Sequence, residues 1–167
     1  MVWRIRISTK LARSCWRAAR SSTRFCARFG VRTFEVRPDT GFSLNGRPYP
    51  LHGVSRHQDR LDKGWAIGER EHEEDMKLIQ EVGANTIRLA HYQHDAYFYD
   101  LCDEAGMVVW AEIPFISMFL NTPEARENTL QQMHELVVQN YNHPSICFWG
   151  ISNEITIGGD SRSFTGI

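Results

Sequence analysis

The residues best suited to chemistry follow an apolar run, Ile146 to Ile151, which leads to Asn153 and Glu154. We expect the run to be a buried strand with Glu154 at its mouth. Apolar surroundings disfavour the charged form of a carboxyl group, which suits a proton donor. The sequence therefore predicts that Glu154 is a general acid, the alternative being a solvated acid just past a strand.

Three earlier apolar segments also end in polar groups, and helical patterns separate all four segments. The predicted strands are Leu51–Val54, Asn85–Ala90, Met107–Ala111 and Ile146–Ile151, and the predicted helices are Glu69–Val82, Asp95–Ala105 and Thr122–Asn140. The last helix has Thr122 as its N-cap and Pro123 in its first turn, and Leu130, Met133, Leu136 and Val137 are spaced for one buried face.

This alternation predicts an α/β fold with a parallel sheet. A doubly wound sheet would fit it too, but no Gly-rich phosphate loop follows any strand. The polar groups instead gather where strands end: Ser55 to Asp59, His91 to His94, Glu112, and Asn153 with Glu154. Functional residues at the carboxyl ends of successive strands are the layout of the (β/α)8 (TIM) barrel. We therefore predict strands one to four, the first half of such a barrel.

A short β-hairpin is predicted to lead into the barrel. Asn45 and Gly46 supply the positive backbone angles of a two-residue turn between Gly41–Leu44 and the segment that starts at Arg47. The sequence thus divides into a basic leader, 1–28, a linker with the hairpin, 29–52, and the barrel segment, 53–167.

The leader is chemically unlike the rest of the chain. Residues 1–37 hold ten Lys or Arg and one acid, Glu35, although the whole chain has a net charge of −1. Basic residues fall three or four apart, which predicts a helix with one basic stripe or a disordered arm. The composition fits a mitochondrial transit peptide, or an arm that binds nucleic acid or an anionic membrane; we favour a segment that is not native sequence.

The remaining composition indicates an ordinary cytoplasmic globular protein. The chain has 167 residues, of which 42% are hydrophobic. Its four cysteines lack the spacing of a zinc or thioredoxin site, which favours free thiols. The longest apolar stretch, Met107 to Leu120, is shorter than the roughly 20 residues that cross a bilayer. We expect no membrane or nucleic-acid partner.

Three ordered motifs resemble glycoside hydrolase family 2, most of all its β-galactosidases. They cover about residues 28–160 and are Leu44–Pro48 leading to Gly53–Asp59, Asn85–Tyr92, and Asn142–Ile146 leading to Trp149–Glu154. The resemblance implies a retaining glycosidase that acts on a β-galactoside or a related carbohydrate.

The resemblance also implies roles for individual residues. Glu154 matches the general acid/base, and Asn153 matches the amide that hydrogen-bonds the sugar 2-hydroxyl. His57 and His91 match histidines that line the sugar subsite, and Arg88 matches an arginine near the nucleophile. On chemistry alone, each histidine could equally be structural, and Arg88 could pair with a carboxylate such as Glu112.

Departures from the family pattern carry further predictions. Metal ligands that some β-galactosidases have after the third strand are absent from residues 112–118, so we predict neither a metal nor another cofactor. Members of the β-glucuronidase branch tend to have proline after the Asn-Glu pair, whereas this chain has Ile155. This difference favours a galactoside as substrate, with a β-glucuronidase-like activity as the alternative.

The family nucleophile lies on the seventh barrel strand, beyond the four that the sequence supplies. We therefore expect the isolated chain to be inactive and to self-associate, or to be completed by another polypeptide. The alternative from a different functional class is a non-catalytic half-barrel that binds a carbohydrate or a partner.

Overall fold

The computed structural model describes residues 29–157 in full, together with the backbone of two earlier strands, β1 (Ala12–Arg17) and β2 (Arg24–Phe29). These strands pair in antiparallel register along their whole length. Their backbone hydrogen bonds therefore run between strands, and the helical prediction is wrong for these two segments. The rest of the predicted basic stripe lies outside the described residues.

A small antiparallel sheet precedes the barrel segment. It consists of β3 (Phe34–Arg37), β4 (Gly41–Leu44) and β5 (Arg47–Pro48), in that order. The turn between β4 and β5 has φ values of 51° at Asn45 and 75° at Gly46. Both angles are positive, as a two-residue hairpin turn requires, so the predicted hairpin is confirmed.

Four parallel strands alternate with three helices in the rest of the described chain. In chain order they are β6 (Gly53–Arg56), α1 (Glu69–Glu81), β7 (Thr86–Leu89), α2 (Ala96–Ala105), β8 (Val108–Glu112), α3 (Pro123–Asn140) and β9 (Ile146–Gly150). The strand order in the sheet is β6-β7-β8-β9, and every pairing is parallel. Four successive parallel strands with helical crossovers confirm the predicted first half of a barrel.

The first barrel strand starts two residues later than predicted. Gly53 is the first residue that pairs with β7, opposite Thr86. The strand therefore includes Ser55 and Arg56, which the sequence placed beyond its end.

Local signals fix the helix ends as expected. The Asp95 side chain accepts a hydrogen bond from the Tyr97 N–H at the start of α2, and Gly106 ends α2 in the left-handed conformation. The Thr122 hydroxyl oxygen accepts from the Ala125 N–H, 3.2 Å away, at the start of α3. Each bond satisfies a backbone group that the helix itself leaves unpaired.

The main core lies between the sheet and its helices. It includes Ile87 and Leu89 of β7, Phe98, Tyr99 and Cys102 of α2, Val109 and Ala111 of β8, Leu136 of α3, and Ile146 of β9. Leu136 is 1% exposed, but Leu130 is 64% exposed, so Leu130 is wrongly placed in the predicted buried face. Six residues at about 100° each put Leu130 about 120° around the helix from Leu136.

The hairpin sheet packs against the beginning of two barrel strands. Phe42, Leu44 and Tyr49 form a second cluster with Val108 of β8 and Cys147 of β9. The hairpin thereby covers the amino-terminal edge of the sheet and leaves the carboxyl edge to the polar residues.

No helix within the described part of the chain is both long enough and apolar enough to cross a bilayer.

Candidate active site

Alternation along the central strands separates a core face from a polar face. Ile87 and Leu89 of β7 are fully buried against the helices, and Arg88 between them is only partly buried. Arg88 lies opposite Trp110 in the ladder between β7 and β8. Successive side chains of a strand point to opposite faces, so Arg88, Trp110 and Glu112 share the face turned away from the helices.

Glu112 is the centre of a hydrogen-bond network on that face. Its side chain is 1% exposed. Its Oε2 accepts from Arg88 Nε at 3.2 Å, Arg88 Nη2 at 3.1 Å and Trp110 Nε1 at 3.1 Å. Its Oε1 lies 2.5 Å from His91 Nδ1, which donates to the carboxylate. A buried carboxylate with four donors is well compensated, and it fixes the orientation of each donor.

Arg88 extends the network to the Asn-Glu pair. Its Nη2 donates to Asn153 Oδ1 at 2.8 Å. The backbone of Asn153 bonds the loop after β8, with its N–H donating to Phe115 O and its carbonyl accepting from the Ser117 N–H, both at 2.9 Å. Because the amide oxygen faces Arg88, the amide NH2 is oriented as a donor for another group.

Glu154 follows Asn153 in an uncommon backbone conformation, with φ of 54°. Its side chain is exposed, so the predicted apolar surroundings are not observed. The physical reason is that β9 ends at Gly150 and the chain then follows the loop after β8. Glu154 therefore lies beyond the sheet edge.

The two predicted histidines are neighbours. The rings of His57 and His91 have centroids 5.2 Å apart and are nearly perpendicular, at 79°. His57 is exposed, and its Nδ1 lies 3.5 Å from the Tyr92 hydroxyl, which accepts from the Gln58 N–H at 3.0 Å. The structure thus gathers every predicted site residue at the carboxyl edge of the sheet, and it adds Tyr92.

Gly150 makes room for the network. A Cβ at this position would lie 2.7 Å from Glu112 Cβ and 2.9 Å from Glu112 Oε2, and it would clash with Trp110 Nε1. Gly150 is the ladder partner of Glu112. The carboxylate of Glu112 can therefore be buried here only because residue 150 is a glycine and has no Cβ.

Two other polar residues of the predicted strand ends lie apart from this network. Arg56 is 6% exposed and donates to Asp75 Oδ2 of α1 at 2.7 Å and to His94 Nδ1 at 3.0 Å. His94 Nε2 donates to Ala90 O at 3.1 Å. Burial, with a further contribution from Arg56, lowers the pKa of His94 to about 3. These residues bind β6 to its helices and have a structural role.

One group among the described residues has ligand atoms close enough to hold a metal ion. Atoms of Asp100, Asp103 and His143 lie within 4.8 Å of one another. His143 precedes β9, at the sheet edge opposite Glu154. Asp103 already accepts from His143 Nδ1 at 2.7 Å and from the Ser145 N–H at 3.0 Å, which joins α2 to the start of β9. The predicted absence of a metal stays a prediction.

Residues 34–166 match the glycosyl hydrolases family 2, TIM barrel domain. The chain belongs to glycoside hydrolase family 2. A β-glucuronidase of Bacteroides fragilis is 51% identical to this family member over 139 residues, which are 79% of the chain and 20% of that protein. A β-galactosidase of Thermoanaerobacterium thermosulfurigenes is 36% identical, over 74% of the chain and 17% of that protein.

Solved structures agree with the fold of this family 2 chain. The crystal structure of an FMN-binding β-glucuronidase from Faecalibacterium prausnitzii L2-6 is 57% identical and superposes with a TM-score of 0.83, covering 86% of the chain and 22% of that structure. The chain thus spans about a fifth of the length of the relatives it matches.

The sequence predicted Glu112 as a polar group at a strand end and a possible partner for Arg88, but not as the centre of the network, and no signal singled out Gly150. The signal that could have found Glu112 was its spacing along the strand, because residues two apart, such as Trp110 and Glu112, lie on the same face. Nothing in the one-dimensional pattern shows that Gly150 lies opposite that carboxylate.

Proposed function

We propose that this chain supplies the acid/base half of a retaining β-glucuronidase-like glycosidase. The observation that carries the proposal is the bond from Arg88 to Asn153 beside an exposed Glu154. It presents an amide donor and a carboxyl group side by side at the edge where barrel enzymes bind their substrates.

In the proposed reaction, Glu154 donates its proton to the glycosidic oxygen as the bond from that oxygen to the sugar C1 breaks. A second carboxylate, about 5 to 5.5 Å away, bonds to C1 and forms a glycosyl intermediate. Glu154 then takes a proton from water as the water oxygen displaces this carboxylate. Asn153 offers its NH2 to the sugar 2-hydroxyl, and His57 and His91 offer ring nitrogens to other hydroxyls.

Glu112 is poorly suited to be the second carboxylate. Both of its oxygens accept hydrogen bonds, and 1% of its side chain is exposed. A nucleophile needs a free oxygen lone pair facing C1. We infer that Glu112 positions Arg88 and His91 and that the nucleophile comes from outside the described residues.

Identity to the relatives favours a β-glucuronide over a β-galactoside as substrate. The two β-glucuronidases above are 51% and 57% identical to the chain, against 36% for the β-galactosidase. The preference for galactosides that Ile155 suggested is therefore outweighed, and β-glucuronidase-like activity is the better-supported reading.

The acid/base role is testable in a complete barrel. Residues 34–166 replace the matching segment of the B. fragilis β-glucuronidase, and hydrolysis of aryl and methyl β-D-glucuronides is measured. We expect Glu154→Gln to lower kcat/KM for methyl β-D-glucuronide by about 100-fold or more, since general acid catalysis contributes about 100- to 10,000-fold. A 2,4-dinitrophenyl glycoside should suffer much less loss in its first step, because its leaving group departs without a proton.

Glu127→Gln is the matched control, because Glu127 is an exposed glutamate on α3. It should leave both substrates unaffected. If Glu154→Gln lowered kcat/KM equally for both glycosides, or for neither, the acid/base role of Glu154 would be contradicted. A ratio of β-D-glucuronide to β-D-galactoside hydrolysis that falls at least tenfold from the parent B. fragilis enzyme to the hybrid would contradict the substrate class.

A further inference from the structure

Trp65 is a large aromatic side chain exposed at the edge of the sheet that carries Glu154. It lies in the loop between β6 and α1, and 67% of it is exposed. The loop leaves the carboxyl end of β6, so it belongs to the same edge as His57 and Asn153.

Trp65 is the outermost of four rings that lead to the polar network. The ring of Trp65 lies 4.7 Å from that of Tyr92, tilted by 35°. Tyr92 is 6.0 Å from His57, and His57 is 5.2 Å from His91, measured between ring centroids. The rings form a continuous surface from the predicted sugar-binding residues to the outside of the site.

The loop that carries Trp65 is held firmly. Arg60 and Gly64 exchange backbone hydrogen bonds of 3.0 and 2.9 Å. The Arg60 side chain bonds Glu74 at 2.6 Å and Asp75 at 2.8 Å on α1, and Lys63 pairs with Glu71. Trp65 follows this turn directly, so its ring is preorganised against Tyr92, which reduces the entropy lost when a ligand binds.

Resting on the proposed function, we propose that the exposed ring of Trp65, supported from behind by Tyr92, is a stacking platform for a flat aromatic leaving group of the glycoside. The Tyr92 hydroxyl is already engaged with the Gln58 N–H and His57. The Tyr92 ring is also stacked on His94, with ring centroids 5.2 Å apart, so the free ring surface is that of Trp65.

The basic side chains of the Trp65 loop, Arg60 and Lys63, are paired with α1. A flat aromatic group needs only the ring surface, whereas a second sugar would also need partners for its hydroxyls.

The test is saturation-transfer NMR on the hybrid in which residues 34–166 replace the matching segment of the B. fragilis β-glucuronidase. The ligands are phenyl 1-thio-β-D-glucuronide and, as the ligand without an aromatic ring, methyl 1-thio-β-D-glucuronide, because thioglycosides resist hydrolysis. In the hybrid without further changes, both the sugar and the aromatic protons should receive saturation. Trp65→Ala should weaken aryl glucuronide binding about three- to tenfold, as expected for an aromatic pair, and should leave methyl glucuronide binding unchanged.

Two variants complete the design. Trp65→Phe keeps a ring and should retain most of the affinity for the aryl ligand. Tyr141→Ala removes an aromatic side chain of equal exposure, 67%, from the end of α3 at the opposite edge, and should change nothing.

The outcomes separate the two proposals. Absence of saturation on the sugar protons of either ligand contradicts the proposed function and the platform with it. Saturation of the sugar protons with an aryl affinity that Trp65→Ala leaves unchanged overturns the platform alone.

Discussion

The buried carboxylate of Glu112 is the group whose loss should most disturb the site. Glu112→Gln keeps the size of the side chain and removes its charge. Its two oxygens accept from Arg88, Trp110 and His91, so an NH2 group in place of either oxygen would face a donor. The variant therefore loses hydrogen bonds and leaves the guanidinium of Arg88 without its counter-ion.

The stability lost in Glu112→Gln depends on how deeply its ion pair with Arg88 is buried. Removing one partner of a fully buried ion pair costs about 3 to 5 kcal/mol. The Arg88 side chain is 36% exposed, so water can partly replace the lost carboxylate. We expect a lower loss, about 2 to 3 kcal/mol in the free energy of unfolding. At about 2 to 4 °C per kcal/mol for a chain of this size, Tm should fall by about 4 to 12 °C.

Urea unfolding followed by circular dichroism at 222 nm measures the loss, with the exposed Glu127→Gln as the control. A double-mutant cycle with Arg88→Met isolates the interaction between Arg88 and Glu112, for which we expect about 1 kcal/mol or more. Stability of Glu112→Gln within about 0.5 kcal/mol of that of Glu127→Gln would refute the role of the carboxylate as the centre of the network.

Two further predictions concern stability. Gly150→Ala should lower the free energy of unfolding by about 2 kcal/mol or more, because its Cβ would lie 2.7 Å from Glu112 Cβ. Gly53→Ala is the control, since the nearest contact of its Cβ would be 3.6 Å, and it should lower the free energy by less than about 1 kcal/mol. Thermal melts of both variants measure the difference. The pKa of His94 is about 3 in the folded chain, against 6.5 for an ordinary histidine. Between these two pH values the unfolded chain binds a proton at His94 that the folded chain does not bind. The free energy of unfolding should therefore fall as the pH drops from 6.5 towards 3. His94 should account for a loss of about 2 kcal/mol in the free energy of unfolding by pH 5. In His94→Gln, the plot of unfolding free energy against pH should therefore be flatter between pH 6.5 and 5. An unchanged slope would show that other groups cause the pH dependence.

Local signals in the sequence determined the elements and their order. Asn45 and Gly46 set the hairpin turn, Gly106 ended α2, and Thr122 with Pro123 began α3, because each of these choices depends on backbone conformation within a few residues. The placement of polar residues after successive apolar strands predicted one shared edge, since parallel strands end on the same side of a sheet.

Only the tertiary structure decided which polar residues act together. Arg56 and Arg88 look alike in sequence, as arginines of neighbouring strands, but Arg56 turns to the helices and Arg88 to Glu112 and Asn153. The exact start of each strand sets which face a residue occupies, and a sequence pattern leaves that start uncertain by a residue or two. The exposure of Glu154 likewise depends on the loop after β8, because contacts between segments distant in sequence decide where the chain goes once a strand has ended.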